Sequence, residues 1–376
     1  MSLDDRFNET DKEYLEGINT ELALRYNKNY DGWEISLLVS EDISPEEASK
    51  YPPSLSGFEV FILKKLKIEP ENLNSDMAKH ISQVVSCVYY DPISFSFIGT
   101  GSASIILFYE NYENKEQSAW KFSQNAGQEV DLLQKLKKQH TPPEVVKEAV
   151  EHLKQKYDKK ESMDVIKTVT EYFNSHCSLE NVVKVKSRVR DTIAFELEYI
   201  QGKTLHKVIE EQGKLSPEKV LRYASGIMNG LIEMRQAGIW YHRDIRPANI
   251  MIDEDNDKAV IIDLGIATQD RHAPPKDNRR YGGFNDLISL GQVMYKMATG
   301  KHLFAKSQSM ERTIYADQLK DHRDEVYANP EKLGYYLRKV DKNIEDERVK
   351  ELIKECLTAG RGHYKRMHRM FKGCAA

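Results

Sequence analysis

Between residues 240 and 268 the chain reads WYHRDIRPANIMIDEDNDKAVIIDLGIAT. Two apolar runs, Ile250–Ile252 and Ala259–Ile262, flank a polar turn of Asp and Asn residues. That pattern predicts an antiparallel hairpin. The polar residues beside it have no use in a hairpin. A buried strand does not need Asp263 at its end, and a surface turn does not need Asp244 and Asn249 five residues apart.

Moving a phosphoryl group does need them. A polyphosphate carries several negative charges, and a magnesium ion that neutralises them takes carboxylate and amide oxygens plus phosphate oxygens. A carboxylate must orient the attacking hydroxyl and accept its proton, and a cation must steady the charge that develops on the transferred group. Asp244 fits the proton acceptor, Arg246 the cation, and Asn249 and Asp263 the metal ligands, while Gly265 lets the chain turn after Asp263.

The stretch closely resembles the protein kinase family, whose catalytic loop H-R-D-x-x-x-x-N stands here as His242-Arg243-Asp244-Ile245-Arg246-Pro247-Ala248-Asn249 and whose D-F-G stands as Asp263-Leu264-Gly265. The resemblance covers about 93–370 and implies an α+β, bilobal fold: a small β-rich lobe, then a larger helical lobe. It also implies where the other parts lie. Gly99, Gly101 and Ser104 match the glycine-rich loop between two strands, with Ser104 in place of the third glycine. Lys121, in a short strand at 117–124, matches the cation for the α- and β-phosphates. Glu129, on a helix at 128–139, matches its carboxylate partner. Only eight residues separate Lys121 from Glu129, fewer than the family usually has, so Glu144 and Glu148 on the next helix remain alternatives. The strand at 195–200 resembles the hinge, where the backbone from Glu198 to Ile200 would take the adenine edge. Asp286 matches the aspartate that binds the catalytic-loop backbone. The resemblance thus implies ATP as phosphoryl donor with Mg²⁺, or Mn²⁺, as the metal. The preferred reading is a Ser/Thr protein kinase; a small-molecule kinase, a nucleotidyl transferase on the same fold and a pseudokinase scaffold are the alternatives. The family's A-P-E motif is absent, which puts docking of a peptide substrate in doubt.

The rest of the chain sets the frame. Its 376 residues divide, on this reading, into an α+β extension at 1–92, a small lobe at 93–200 with a helical insertion at about 137–178, and a large lobe with a basic final helix at 201–376. A helix is expected at 9–26, a strand at 33–39 and a Ser-capped helix at 44–51. Two further helices are expected at 141–157 and 162–173, and an apolar-periodic run at 76–90. Ser216 and Pro217 announce a helix with Val220, Ala224, Ile227, Leu231 and Met234 on one face. The net charge of −4 gives no global basic field for nucleic acid. Four scattered cysteines form no metal or disulfide pattern, and no apolar run approaches the length of a membrane span. The expected location is the cytoplasm, of its own cell or of a host. A regulatory partner is expected at 1–92 or 137–178. The tail at 360–373, with Arg361, Lys365, Arg366, Arg369 and Lys372, offers cations to an anionic ligand or simply forms a solvated last helix. Between Asp263 and Tyr281 the lone hydroxyl is Thr268, while Asp270 and Asp277 offer Arg243 a carboxylate that needs no phosphorylation.

Overall fold

The computed structural model describes residues 23–27, 32–36, 46, 49–53, 55, 57–73, 78, 95–100, 104–110, 115–123, 125–142, 144, 177–187, 194–271, 286–305, 326–360 and 362–375. The chain divides into two units, one made of Met1–Asp131 and Val185–Tyr199, the other of Leu132–Lys184 and Ile200–Ala376. The first unit includes the N-terminal segment that the sequence reading sets apart. The predicted helices at 44–51, 141–157 and 162–173 and the run at 76–90 fall largely outside the described residues, as do most of the insertion at 137–178, Gly101, Glu148 and Asp277.

The first unit is built on a five-stranded sheet in the order β3-β4-β5-β7-β6: β3 Phe95–Thr100, β4 Ser104–Glu110, β5 Gln117–Ser123, β6 Val185–Ser187 and β7 Ala194–Glu198. Every neighbouring pair is antiparallel. Strand β5 is central, so Lys121 faces Ile106 on one side and Phe195 on the other in the ladder. Its last residues, Lys121, Phe122 and Ser123, are all buried. Helix α2, Ala126–Gln139, follows at once, and the division between the units falls within it, after Asp131. It buries Val130, Leu133 and Leu136, the face its spacing predicts.

A second sheet in this unit corrects the end of the helix expected at 9–26, whose residues 9–22 lie outside the described ones. Ala23–Asn27 is a strand, β1, paired with β2, Gly32–Ser36. The register explains why a helix loses here. Leu24 lies opposite Ile35, Tyr26 opposite Trp33, and Arg25 opposite Glu34. Tyr26, Trp33 and Ile35 are aromatic and β-branched residues that favour strands in sequence. Helix α1, Gly57–Lys65, follows this hairpin and buries Val60, Ile62 and Leu63.

The second unit is helical around a three-stranded sheet, β10-β9-β8: β8 Gly202–Thr204, β9 Ile250–Asp253 and β10 Lys258–Ile261. Thr204 caps α3, Leu205–Gln212, and Ser216 caps α4, Pro217–Gln236, each hydroxyl accepting an amide of the first turn. All five residues predicted on the inner face of α4 are buried. Gly226 and Gly230 let α4 close on β10: a Cβ at Gly230 would stand 2.7 Å from the Asn181 carbonyl and 2.8 Å from Ile261 Cδ1. The segment 181–183 runs along β10, with Ile261 N donating to Asn181 O at 2.8 Å and Val183 N to Ile261 O at 2.9 Å.

Helix α5, Asp286–Thr299, is buried from Asp286 through Tyr295 and packs against α4 and α7. A helix covered on nearly every side lies in the core of its unit. Helices α6, Pro330–Asn343, α7, Glu347–Thr358, and α8, Tyr364–Ala375, complete it. Asn329 and Asp346 cap α6 and α7. The basic tail is thus a helix: Tyr364, Met367 and Phe371 are buried, while Lys365, Arg366, Arg369 and Lys372 are exposed. No helix among the described residues is long and apolar enough to cross a membrane.

Candidate active site

In the first unit Lys121 and Glu129 form a buried ion pair. The Lys121 ammonium stands 2.9 Å from Glu129 Oε1, with side-chain exposures of 5% and 0%. Two charges buried this deeply are stabilised by facing each other, since breaking such a pair is costly. The short spacing that left three glutamates open is met by starting α2 immediately after β5. Glu144 is exposed. Gly99 lies at the end of β3, past a register shift, and Ser104 opens β4. The two strands pair up to Thr100 and Ile105. Glu198 ends β7, and Ile200 begins the second unit. The division therefore falls inside the stretch predicted as a hinge.

The second unit holds the segment predicted as the catalytic loop. The hairpin β9–β10 pairs Ile250 with Ile261, and the ladder extends one step further, with Ile262 N donating to Asn249 O at 2.9 Å. This step ties the residue before Asp263 to the end of the loop that carries Asn249. The Asn249 amide nitrogen donates to the Asp244 carbonyl at 2.9 Å and to its carboxylate at 2.7 Å. Arg246 approaches the same carboxylate oxygen at 3.4 Å. Asp244, Arg246 and Asn249 are thus brought together, and Asp263 is held beside them by the hairpin register.

Two residues here have left-handed backbone: Arg243 at φ 71° and Asp263 at φ 73°. Each costs about 1–3 kcal/mol and persists only where its surroundings over-determine it. At Asp263 the carboxylate accepts Gly265 N at 3.1 Å, and Leu264 is fully buried. At Arg243 the holder is Asp286, which accepts His242 N and Arg243 N at 2.8 Å each. His242 is fully buried, and its Nδ1 accepts Asp244 N at 3.2 Å. Burial pushes the Asp286 carboxyl up from its ordinary range, while His242, the two amides and Arg235 oppose that shift. Burial lowers the Arg243 guanidinium pKa, and the carboxylates of Asp286 and Asp270 oppose it. Asp270 therefore lies close enough to act electrostatically on Arg243. Lys135 of α2 also donates to Gln269 next to it.

The start of the segment after Asp263 is fixed by backbone bonds. Trp240 N donates to Thr268 O, and Thr268 N to Tyr241 O, each at 2.9 Å. The sequence reading missed two residues beside them, Arg235 and Tyr364. The Arg235 guanidinium donates to Trp240 O at 2.9 Å and lies over the Trp240 and Tyr364 rings, 4.7 and 3.9 Å from their centroids. Neither belongs to a motif, so only the fold reveals them.

Asn249 uses its amide nitrogen toward Asp244, which leaves its oxygen as an acceptor, and Asp263 adds a carboxylate. No cluster of three or more His, Cys, Asp or Glu among the described residues makes a complete cage. One carboxylate and one amide oxygen fit a hard divalent ion that takes its remaining ligands from phosphates and water.

The chain belongs to the protein kinase family: the family model described as protein kinase domain matches residues 96–368. A probable serine/threonine-protein kinase of Clostridium acetobutylicum is 35% identical over 122 residues, which is 28% of this chain and 18% of that protein. Another from Streptomyces coelicolor is 41% identical over 71 residues, 19% of this chain and 10% of that protein. The alignments therefore span less than a fifth of these two curated relatives. A solved structure described as the Rad53 kinase domain and SCD2 in complex with AMPPNP is 17% identical with a TM-score of 0.45, covering 74% of this chain and 90% of that one.

Proposed function

We propose that the protein is an ATP-dependent protein kinase that moves the γ-phosphoryl group to a serine or threonine hydroxyl. The observation that carries this reading is the clasp of Asp244 by Asn249 and Arg246 on a loop tied to the strand before Asp263. The Asp244 carboxylate orients the acceptor hydroxyl and takes its proton as the new O–P bond forms and the bond to the β-phosphate oxygen breaks. Arg246 turns from Asp244 toward the charge on the moving group. Lys121, held by Glu129, positions the α- and β-phosphates. The backbone of Gly99, Gly101 and Ser104 covers the phosphates, and that of Glu198 and Ile200 takes the adenine edge. Asn249 and Asp263 hold Mg²⁺, which when bound neutralises the phosphates. Asp270 beside Arg243 supports activity without a phosphate on this segment. Free, buried Cys177 and Cys356 suit a reducing cytoplasm, in its own cell or a host's. Regulation falls to a partner at 1–92 or 137–178, and the exposed cations of α8 are available to an anionic ligand.

The full chain should be incubated with ATP labelled at the γ or the α position, with protein acceptors and with small metabolites. Label on serine or threonine from the γ position alone supports the reading. Label from the α position, or on metabolites only, overturns it.

A further inference from the structure

Asp286 is a carboxylate at the start of a fully covered helix, and its exposure is 2%. Among the described residues three donors reach it. Two are the amides of His242 and Arg243. The third is the Tyr364 hydroxyl of α8, 3.5 Å from the oxygen that takes the His242 amide. Tyr364 is itself 2% exposed, and its ring carries the Arg235 guanidinium, which in turn holds the Trp240 carbonyl at 2.9 Å. One side chain of the final helix thus bears on both ends of the segment 240–243: through Arg235 on Trp240, and through Asp286 on His242 and Arg243.

We propose that Tyr364 is a positioning residue for the catalytic loop, acting through Asp286 and Arg235 to hold the backbone from which Asp244 projects. The hydroxyl contact is long, so it is a weak bond, and the ring that supports Arg235 adds to its effect. Burial argues for the same role. A buried tyrosine hydroxyl usually finds a hydrogen-bond partner, and the acceptor here is the carboxylate that fixes the strained Arg243. The consequence for turnover rests on the proposed kinase activity; the consequence for the backbone does not.

Deuterium exchange in the full chain separates the two. Tyr364→Phe removes the hydroxyl and keeps the ring, and Tyr364→Leu removes both. Exchange of a peptide covering 240–246 should quicken about threefold in the first, the range of one weak hydrogen bond, and more in the second. Met367→Ala, one turn along the same buried face, is the control. It should lower the thermal midpoint by at least about 4 °C and leave exchange at 240–246 as in the parent. With phosphoryl transfer as readout, Tyr364→Phe should lower kcat about threefold with the KM for ATP unchanged. Exchange at 240–246 like the parent's in Tyr364→Phe overturns the proposal. So does equal quickening in Met367→Ala, which would make the effect one of general packing. A parent chain that transfers no phosphate sinks the kinase reading, and the exchange result still decides the role of Tyr364.

Discussion

The Lys121–Glu129 pair and the catalytic loop are held by opposite means. The pair is a buried contact between two side chains, the Lys121 ammonium 2.9 Å from Glu129 Oε1 with exposures of 5% and 0%. The loop rests on several supports: a hairpin register, a clasp on Asp244, two amides on Asp286, and backbone bonds from Trp240 and Tyr241 to Thr268. The difference is one of failure. A single buried pair is lost whole when either partner goes, whereas a loop with several supports loosens by degrees. Strained backbone belongs to the second kind, because left-handed Arg243 and Asp263 need supports that do not all fail together.

The largest expected effect lies at the loop's one irreplaceable group. Asp244→Asn should lower phosphoryl transfer by roughly 10²–10⁴-fold, the usual worth of a general base, with nucleotide affinity retained. Titration of Mg-ATP into the variant checks this, and a parallel loss of affinity would place Asp244 in the fold rather than in the chemistry.

Breaking the pair should come next. Lys121→Met and Glu129→Gln should each lower turnover by about 10²-fold and stability by about 3–5 kcal/mol, because each removes one partner of a buried ion pair. Chemical denaturation of the double variant is the sharper test. It should recover much of the stability lost in either single variant while turnover stays low. Additive losses of stability would mean that the two charges do not depend on each other.

Loosening the loop should cost less. Asp286→Asn keeps one oxygen for the two amides and should lower turnover by about tenfold. The groups facing this carboxylate are His242 and Arg243 from the loop, Arg235 from α4 and Tyr364 from α8. Because burial raises its pKa, the folded chain binds the Asp286 proton more readily than the unfolded chain does. Its contribution is therefore favourable below the ordinary aspartate range and is lost as pH rises through the folded value. The midpoint difference between parent and Asp286→Asn should fall with rising pH across that window; a difference that rises would reverse the sign of the shift.

The smallest effect belongs to a support outside both regions. Asp346 caps α7 and is paired with Arg348 at 2.8 Å. Asp346→Ala should cost about 1 kcal/mol of stability and leave turnover alone. Arg348 holds this carboxyl below its ordinary range, so the parent's advantage should be present at neutral pH and vanish as the solution is acidified.

Much of this was legible in the sequence, and the reasons are local. The hairpin at 250–261 announces itself by two apolar runs about a turn, and α4 by its Ser216 cap and one apolar face. Asp286 was legible because a motif surrounds it. Where the partner is remote, the sequence is silent. Tyr364 stands 78 residues after Asp286, in a run whose cations draw attention to charge rather than to the one hydroxyl that turns inward. Three glutamates lay within reach of Lys121 on paper, and only the point at which α2 begins decides among them. At 23–27 apolar periodicity misled, because Leu24 and Tyr26 suit a helix face as well as a strand, and the pairing with Ile35 and Trp33 settles it.

The support from Tyr364 also has a consequence in time. Asp286 leaves the ribosome 78 residues ahead of it, an interval of roughly 4–16 s at ordinary rates of synthesis. Throughout that interval every motif of the loop has been translated, yet Asp286 lacks its third donor and Arg235 lacks the ring it rests on. A nascent chain, or one that ends early, holds the complete chemical inventory of the loop without its final brace. Maturation of the loop is then coupled to translation of α8.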